Sequence, residues 1–600
     1  MMDVPTHAQA HSQTPSMTAK YPATDPITTE IVRNGVLAVT EEMKTNLMRT
    51  AYNTIIYEAL DFTTGLFTAN GDTVSIGIGL PMFIRGMSET VKAKLRHFAP
   101  DGPNPVGIHP GDILVTNDAY ITGSHLNHVT FSVPIFEGDE LIAWVSCMAH
   151  WIDVGGTLGG MTTDIYAEGL QIPICKYADR GVVNTLLEDI IRMNVRIPSR
   201  AMGDLRAQIT AVKTGERRFT ELVKRYGKDA VVQSIAAIMD QAEVAARKRT
   251  LTIPDGVYEA ESYMDDDGVT VGKKVPIRVK VEVKGEEMTI DLSHVADQVR
   301  GFFNSGITAG MACAQVAFKC MTSPTDYPIN DGAFRNLKVI VPPGKVISAV
   351  RPAAMRWWMT FPMTVIDTVF KALEAAVPDR VIAGHHADLV VCMCHGINPH
   401  TNEFFMGSFG PQGGGWGAKM TEDGVSGTVC INDGDTHNSP NEQSEVKTPV
   451  LIERFSLIPD SGGPGKYRGG LGVERVVRMR TNVTFNTQVD RVHCKPWGLA
   501  GGGEAMGNSV ALELNGKMKD DFANAKVLLA QLKPEEAFIL RSGGGGGFGD
   551  PFEREVARVQ EDVRQGYVSV EAARRDYGVV LDPATFEVDT AETAKLRSAR

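Results

Sequence analysis

Hydrophobic residues recur three or four positions apart in several long stretches of the chain, the spacing of one face of an α-helix. This spacing predicts helices over residues 27–57, 84–98, 184–249 and 361–378, and a final pair over 551–578. Thr28 and Thr29 are candidate N-caps of the first helix, because a side-chain oxygen there can accept a bond from a free backbone N–H. Helices therefore dominate the first 250 residues, apart from the strands described next.

Alternation of apolar and polar residues marks strands in two parts of the chain. Residues 129–136 and 141–151 predict a β-hairpin whose turn is at 137–140. A shorter strand pair precedes it, with its turn at Asn70-Gly71. The strand pattern returns from 257 to about 345.

Glycine makes up 60 of the 600 residues and clusters between 400 and 550. Such clusters predict turns and close backbone approaches within an irregular β-rich region. They do not form a phosphate-binding loop, because the chain has no G-x-x-x-x-G-K-[ST] motif. The sequence therefore shows no nucleotide site of its own.

These patterns predict an α+β fold of several domains, with a helical and hairpin N-terminal half and a glycine-rich, β-rich C-terminal half. The predicted regions are a disordered arm at 1–24, a metal-binding α/β region at 25–250, a mixed β-rich domain at 251–400, a glycine-rich β region at 401–555, and a C-terminal helical segment and tail at 556–600.

Composition and charge exclude several classes of protein. The chain carries 60 Lys+Arg against 72 Asp+Glu, a net charge of −12, which argues against nucleic-acid binding. No run of about 18 uncharged apolar residues predicts a membrane helix, and the N-terminal stretch lacks the apolar centre of a signal peptide. The eight cysteines are too scattered for a disulfide framework. We expect a cytoplasmic protein that binds neither nucleic acid nor membrane.

The main chemical candidates surround the predicted hairpin. His125 and His128 precede its first strand, and His150 ends its second. Folding the hairpin about its turn places residue 128 nearly opposite residues 149–150, so three imidazoles converge, with Asp118 and Asp153 beside them. Imidazole and carboxylate ligands together suit Zn, Mn or Fe rather than Ca or Mg. The sequence therefore predicts one divalent transition metal here.

Simpler interpretations remain open for several of these residues. The three histidines can be separate surface or cap residues, and Asn117-Asp118 can form an ordinary turn. His385 and His386 have no visible partner cluster, which favours a core or turn role over a second site.

Two other groups also have competing interpretations. Cys392 and Cys394 lack a second cysteine pair, which favours a core strand over a zinc knuckle. Trp357 and Trp358, after Arg356, either line an apolar cavity or lie in a core or an interface.

Several longer motifs follow one another along the chain. They are ALDFTTGLF at 59–67, NDAYITGSHLNH at 117–128, HWIDVGG at 150–156, EGLQIP at 168–173, N-D-G at 330–332, DSGGPGKYRGGLG at 460–472, PWGLAGGG at 496–503 and GGGGFGDPFER at 544–554. In this order they resemble the hydantoinase B/5-oxoprolinase family over about residues 25–582. That family includes B subunits of ATP-dependent hydantoinases, caprolactamase, the C-terminal half of 5-oxoprolinase, and large subunits of acetone and acetophenone carboxylases.

The resemblance implies one divalent metal near two histidine motifs, which fall on His125 and His150 here. This chain departs from the family pattern twice, because the family's aspartate in the first motif is His128 and the second histidine of the later motif is Trp151. The first change exchanges one type of ligand for another. The second implies that position 151 is not an essential ligand. Asp61 matches a family aspartate and is expected to be a further ligand or a base.

The resemblance also implies a hydantoinase A-type partner of actin-like ATPase fold, which would use ATP to phosphorylate a substrate oxygen. We therefore expect the metal-bearing B-type subunit of an ATP-dependent cyclic amide hydrolase, in an α2β2-like assembly, with Asp61, Asp118 and Asp153 as candidate catalytic carboxylates. The alternatives are a subunit of an ATP-dependent ketone carboxylase and a non-catalytic scaffold for the ATPase subunit.

Overall fold

The computed structural model describes residues 25–77, 79–322 and 329–599. The predicted arm at 1–24 lies outside the described residues. The α-helices are α1 Pro26–Thr50, α2 Thr54–Tyr57, α3 Phe83–Phe98, α4 Ala119–Thr122, α5 Thr185–Asn194, α6 Pro198–Tyr226, α7 Lys228–Thr250, α8 Ile307–Thr322, α9 Thr360–Leu373, α10 Asn441–Lys447, α11 Val556–Arg564, α12 Val570–Tyr577 and α13 Thr590–Ser598. Among the described residues, no helix is both long enough and apolar enough to cross a membrane.

A seven-stranded antiparallel sheet organises the N-terminal half. Its strands are β1 Phe62–Thr68, β2 Thr73–Gly77, β3 Ile113–Thr116, β4 His128–Glu137, β5 Glu140–His150, β6 Cys175–Asp179 and β7 Val182–Val183. They lie in the order β2-β1-β5-β4-β3-β6-β7. The predicted hairpin is therefore confirmed as β4–β5, at the centre of the sheet.

Helices cover both faces of this sheet, which explains why its central strands are buried along most of their length. On β5, Val145 and Cys147 belong to the same apolar cluster as residues of α1 and α6. Trp144 and Met148, which flank this pair, belong to a second cluster, together with residues of α3. Successive side chains of a strand point to opposite faces, so one strand contributes to two cores.

Three smaller sheets complete the fold of the described residues. The first, in the order β11-β10-β9-β8, contains β8 Gly256–Met264, β9 Val275–Lys284, β10 Glu287–Asp291 and β11 Leu337–Ile340. The second, in the order β13-β12-β16-β19, contains β12 Cys392–Ile397, β13 Phe404–Phe409, β16 Val483–Gln488 and β19 Lys526–Leu532. The third, in the order β14-β15-β20-β17-β18, contains β14 Val450–Leu457, β15 Val473–Met479, β17 Ser509–Leu514, β18 Lys517–Lys519 and β20 Ala537–Arg541. The predicted α+β class is confirmed.

Glycine-rich segments pack backbone against backbone between these sheets. The N–H of Gly545 donates to the carbonyl of Gly470, and its own carbonyl accepts from the N–H of Gly463. A Cβ atom on Gly545 would lie 1.8 Å from the Trp416 carbonyl oxygen, and one on Gly469 would lie 1.7 Å from the Gly545 oxygen. Glycine is required here because only hydrogen fits between the crossing chains.

Three sequence predictions differ from the structure. The expected helix over 27–57 divides into α1 and α2, because the buried Asp204 carboxylate accepts the N–H groups of Tyr52 and Asn53 and breaks the helix between them. Asp25, rather than Thr28 or Thr29, caps α1. The stretch predicted as strands from 257 to 345 also contains α8.

The largest apolar cluster joins residues between Phe67 and Phe548, across the predicted domain boundaries.

Candidate functional site

The hairpin brings three histidines together at one end of the large sheet. His128 begins β4 and pairs directly with His150, the last residue of β5. His125 lies in the turn after α4, and the ring centroids are 4.6 Å (125 to 128), 4.8 Å (125 to 150) and 5.1 Å (128 to 150) apart. The predicted convergence of these residues is present in the structure.

Asp61 is in direct contact with this histidine group. It precedes β1, the neighbour of β5, and its Oδ1 lies 2.9 Å from Nε2 of His128. Its carbonyl accepts the backbone N–H of His150 at 3.1 Å. Burial raises the pKa of the Asp61 carboxyl, but the imidazoles of His128 and His150 outweigh this and hold the pKa below its usual value.

Burial also disfavours the charged form of two of the histidines, His125 and His150. It lowers the pKa of His125 well below its usual value, with the neighbouring His128 and His150 adding to the shift. It lowers the pKa of His150 to about 4, although Asp61 opposes the shift. Phe83 and Trp358 form the apolar wall against these rings, with centroids 4.5 Å and 6.0 Å from His128. Neutral imidazole is the form that binds metal ions.

Each histidine has one buried ring nitrogen that makes no hydrogen bond: Nε2 of His125, Nδ1 of His128 and Nδ1 of His150. Within the described ranges, no group of three or more His, Cys, Asp or Glu side chains has its donor atoms arranged to hold a metal ion. The types of donor and the unpartnered nitrogens therefore fit a transition metal, although their positions do not form a coordination sphere.

A cavity of about 140 Å³ opens beside the histidine group, between the N-terminal sheet and the sheet that contains β12. Its apolar lining includes Ile152, Leu158, Trp357, Val391 and Met406. The polar lining residues are Asp61, His125, His150, Asn127, Asp153, Thr157, Glu168, Arg196, Arg356, Ser408, Asn486 and Gln488.

The other two predicted carboxylates lie in different surroundings. Asp153 lines the cavity, where its Oδ1 accepts from Nη1 of Arg196 at 2.8 Å and from the Gly155 N–H at 3.1 Å. Asp118 caps α4 by accepting the Tyr120 N–H, and its other oxygen pairs with Arg351 at 2.9 Å. Locally, Asp118 therefore has the role of a turn residue, which was the simpler interpretation of Asn117-Asp118.

Glu168 has a role that the sequence did not assign. Its buried carboxylate accepts the Thr162 hydroxyl at 2.6 Å and the backbone N–H groups of Met355 and Arg356, both at 3.0 Å. The carbonyl of Arg356 in turn lies 3.1 Å from Nδ1 of His125. Glu168 therefore fixes the turn that orients His125. The sequence signal that could have identified this role is the position of Glu168 in the EGLQIP motif.

Residues of the C-terminal half were not predicted to belong to the site. Besides the cavity wall at 389–411 and 486–488, Asp433 lies close enough to Asp61 for the two charges to interact. Burial raises the pKa of Asp433 to about 8, although a hydrogen bond from the Cys430 thiol, at 3.0 Å, opposes this shift. Only the tertiary fold brings these residues to the histidines.

Most of the remaining residues singled out in the sequence have structural roles. Nδ1 of the buried His385 lies 2.8 Å from Asp367, which Arg491 also contacts, as expected for a core role. Cys392 and Cys394 are buried in β12, which confirms a core strand. Trp357 lines the cavity, whereas Trp358 packs behind the imidazoles. The indole N–H of Trp151 donates to Gln208 at 2.8 Å, in the core beneath the sheet.

Comparison with known proteins identifies a family. The family model described as hydantoinase B/oxoprolinase matches residues 25–551. A putative D-/L-hydantoinase B subunit from Pseudomonas sp. (strain NS671) is 30% identical over 601 residues, covering 96% of this chain and 98% of the relative. The beta subunit of the caprolactamase of Pseudomonas jessenii is 32% identical over 594 residues, covering 96% and 99% of the two chains.

Solved structures agree in fold over nearly the whole chain. The crystal structure of ATP-dependent caprolactamase from Pseudomonas jessenii superposes with a TM-score of 0.88 at 28% identity, covering 96% of this chain and 100% of that one. A nucleotide-free acetone carboxylase structure gives a TM-score of 0.87 at 21% identity, covering 96% of this chain and 83% of that one. The second likeness concerns the fold alone.

Proposed function

Because the chain belongs to the hydantoinase B/oxoprolinase family, we propose that it is the metal-bearing B-type subunit of an ATP-dependent cyclic amide hydrolase. The observation that carries the proposal is the group of His125, His128, His150 and Asp61 at the edge of a largely apolar cavity. The relatives named hydantoinase and caprolactamase support the reaction class.

These four residues would hold one divalent transition metal, Zn, Mn or Fe. Support comes from three buried ring nitrogens without a partner and from the adjacent carboxylate. When bound, such an ion polarises a substrate oxygen and lowers the pKa of a bound water. The apolar wall around the ring nitrogens excludes bulk water and strengthens these electrostatic effects.

The three candidate carboxylates have different roles in this proposal. Asp61 contacts His128 and lines the cavity, so it is placed both to orient an imidazole and to accept a proton from a substrate or water. Asp153 holds Arg196 at the cavity wall, and Asp118 holds Arg351. The last two therefore act by positioning other groups.

A partner chain of the hydantoinase A type would supply the ATP chemistry. The hydantoinase and caprolactamase relatives are each one of the unlike subunits of an enzyme, which supports a hetero-oligomer. We propose an α2β2-like assembly in which the partner phosphorylates an oxygen of the cyclic amide, and the activated ring is opened in the cavity of this chain.

Metal analysis tests the site. We expect purified wild type to carry about one metal ion per chain, and His125→Ala and His150→Ala to lose most of it. His400→Ala is the matched control, because His400 is an exposed residue on a turn far along the chain. Unchanged metal content in both site variants would contradict the proposal.

The reaction is tested with the chain combined with its A-type partner. ATP turnover coupled to opening of a hydantoin or lactam is expected. Turnover that requires bicarbonate and a ketone would instead identify a carboxylase. A chain that binds no metal, yet is required for ATPase activity of its partner, would be a scaffold.

A further inference from the structure

Two arginines line the cavity from different parts of the chain. Arg196 follows α5, and Arg356 lies in the turn before α9. The two guanidinium groups are close enough to repel each other electrostatically. A cavity with largely apolar walls that contains two arginines is suited to an anionic ligand, since burying an uncompensated charge is costly.

The positive charge of Arg196 is already compensated. Its Nη1 donates to Asp153 at 2.8 Å, its backbone N–H contacts the other oxygen of the same carboxylate, and its Nη2 contacts the carbonyl of Gly156. Arg196 therefore forms a fixed part of the cavity wall.

Arg356 differs, because its guanidinium has no carboxylate partner among the residues that the structure describes. Its Nη2 donates to the Thr157 hydroxyl at 2.8 Å, and this is the only side-chain hydrogen bond it makes there. The nearest compensating charge, Glu168, already accepts three hydrogen bonds from Thr162 and the backbone. Burial lowers the pKa of Arg356, which reflects the cost of holding its charge in this position.

The backbone of Arg356 connects this guanidinium to the histidine group. Its carbonyl oxygen lies 3.1 Å from Nδ1 of His125, and its N–H is held by Glu168. A ligand bound by the side chain of Arg356 therefore lies in the same cavity as the proposed metal ligands. The fork of a guanidinium matches two oxygens of a phosphate, and such charge-assisted pairs are shorter and stronger than neutral hydrogen bonds.

We propose that Arg356, supported by Arg196 and Thr157, forms a phosphate subsite that binds the phosphoryl group of the activated substrate and the inorganic phosphate released from it. The inference rests on the proposed function, in which the substrate reaches this chain in phosphorylated form. It assigns a specific ligand to a part of the cavity separate from the histidines.

Binding of inorganic phosphate to the isolated chain tests the subsite directly. Isothermal titration at constant ionic strength is expected to show one phosphate per wild-type chain. Arg356→Gln should weaken this binding at least about tenfold, since it removes the charge and the fork. Arg356→Lys, which keeps the charge but loses the two-pronged geometry, should fall between them. Arg278→Gln, at an exposed arginine paired with Glu261, is the matched control and should bind as wild type does.

Further measurements separate the subsite from folding, the metal and the overall function. Circular dichroism and melting curves establish that the arginine variants fold. Phosphate binding should persist in His150→Ala, because the arginine and not the metal holds the anion. Any one of three results would overturn the subsite: wild type binds no detectable phosphate, folded Arg356→Gln binds phosphate as tightly as wild type, or His150→Ala loses phosphate binding. The two proposals can also fail separately. If phosphate binding depends on Arg356 but the chain supports no ring opening with any A-type partner, the subsite stands and the proposed function is wrong.

Discussion

The carboxylate of Glu168 connects separate parts of the site at the scale of single residues. It is 4% exposed and accepts bonds from Thr162 and from two consecutive backbone N–H groups, the second of which belongs to Arg356. That residue presents its carbonyl to His125 and its side chain to the cavity. One buried acid therefore positions an imidazole and a cation together.

Lys94, on α3, is buried against strand β4, and it predicts a pH dependence of stability. Its amine donates to the Thr130 carbonyl at 3.1 Å and to the Ser132 hydroxyl at 2.8 Å, and burial lowers its pKa to about 7. An unfolded lysine titrates near pH ~10.4, so between about pH 7 and 10 the unfolded state binds more protons than the folded state. Stability therefore rises with pH through this window.

Lys94→Met removes this titration. We expect the free energy of unfolding of wild type to increase by about 3 kcal/mol from pH 7 to pH 10 relative to the variant. Chemical denaturation at several pH values measures the difference. Lys284→Met, at the exposed lysine that ends β9, is the control and should follow wild type. Parallel pH curves for wild type and Lys94→Met would show that Lys94 does not titrate in this range.

The sequence brought the histidines together because local rules fix their positions, whereas Asp61 was expected only from the family resemblance. Pairing of His128 with His150 follows from the short turn of the hairpin, and the alternation of side chains places both on one face. Arg196 was not foreseen, since it lies in an ordinary connection between helices with no motif around it. Its place in the cavity depends on the tertiary contact with Asp153.

Some helices and strands could likewise be predicted from the local sequence, whereas others depend on residues far away in the chain. The hairpin and α3 follow from periodicity, because α3 has a polar and an apolar side and the hairpin strands alternate between two cores. Helix α8 was missed because it is buried nearly all round, with small apolar residues such as Ala312, Ala314 and Ala317 and no polar face to mark a period. The break after α1 depends on Asp204, more than 150 positions away.

The glycine-rich segments predict that one methyl group disrupts a large part of the C-terminal half. In Gly545→Ala the added Cβ would lie 1.8 Å from the Trp416 carbonyl and 2.5 Å from the Gly417 nitrogen, both backbone atoms. Because several segments hydrogen-bond to one another here, none can move alone. We expect loss of cooperative folding or a melting temperature lower by many degrees, measured by thermal denaturation of the purified chain.

Gly566→Ala is the control for this substitution. Gly566 has φ of +73° but no atom within 4 Å of an added Cβ, so only the local strain of about 1–2 kcal/mol is expected. Equal melting temperatures for wild type and Gly545→Ala would mean that the crossing backbones separate easily, and that the glycines are not required for packing.

At the scale of the whole molecule, the site lies between parts of the chain that are far apart in sequence. The histidines come from residues 125–150, and the opposite cavity wall comes from residues 389–411 and 486–488. A single apolar cluster extends from Phe67 to Phe548 and joins these parts. Both halves of the chain therefore contribute walls of one cavity.

The absence of a phosphate loop from the sequence leads to a prediction about the intact chain. We expect the isolated protein to hydrolyse no ATP and to open no cyclic amide, because the sequence contains no G-x-x-x-x-G-K-[ST] motif to hold a triphosphate. Adding an A-type partner should produce ATP hydrolysis and ring opening together. The measurement is phosphate release and ring-opened product, for each chain alone and for the mixture, with His150→Ala in place of wild type as the control. With His150→Ala, the mixture is expected to form no ring-opened product, because activation by the partner and ring opening require separate sites. Robust ATP hydrolysis by the purified chain alone would contradict the division of labour between the two chains.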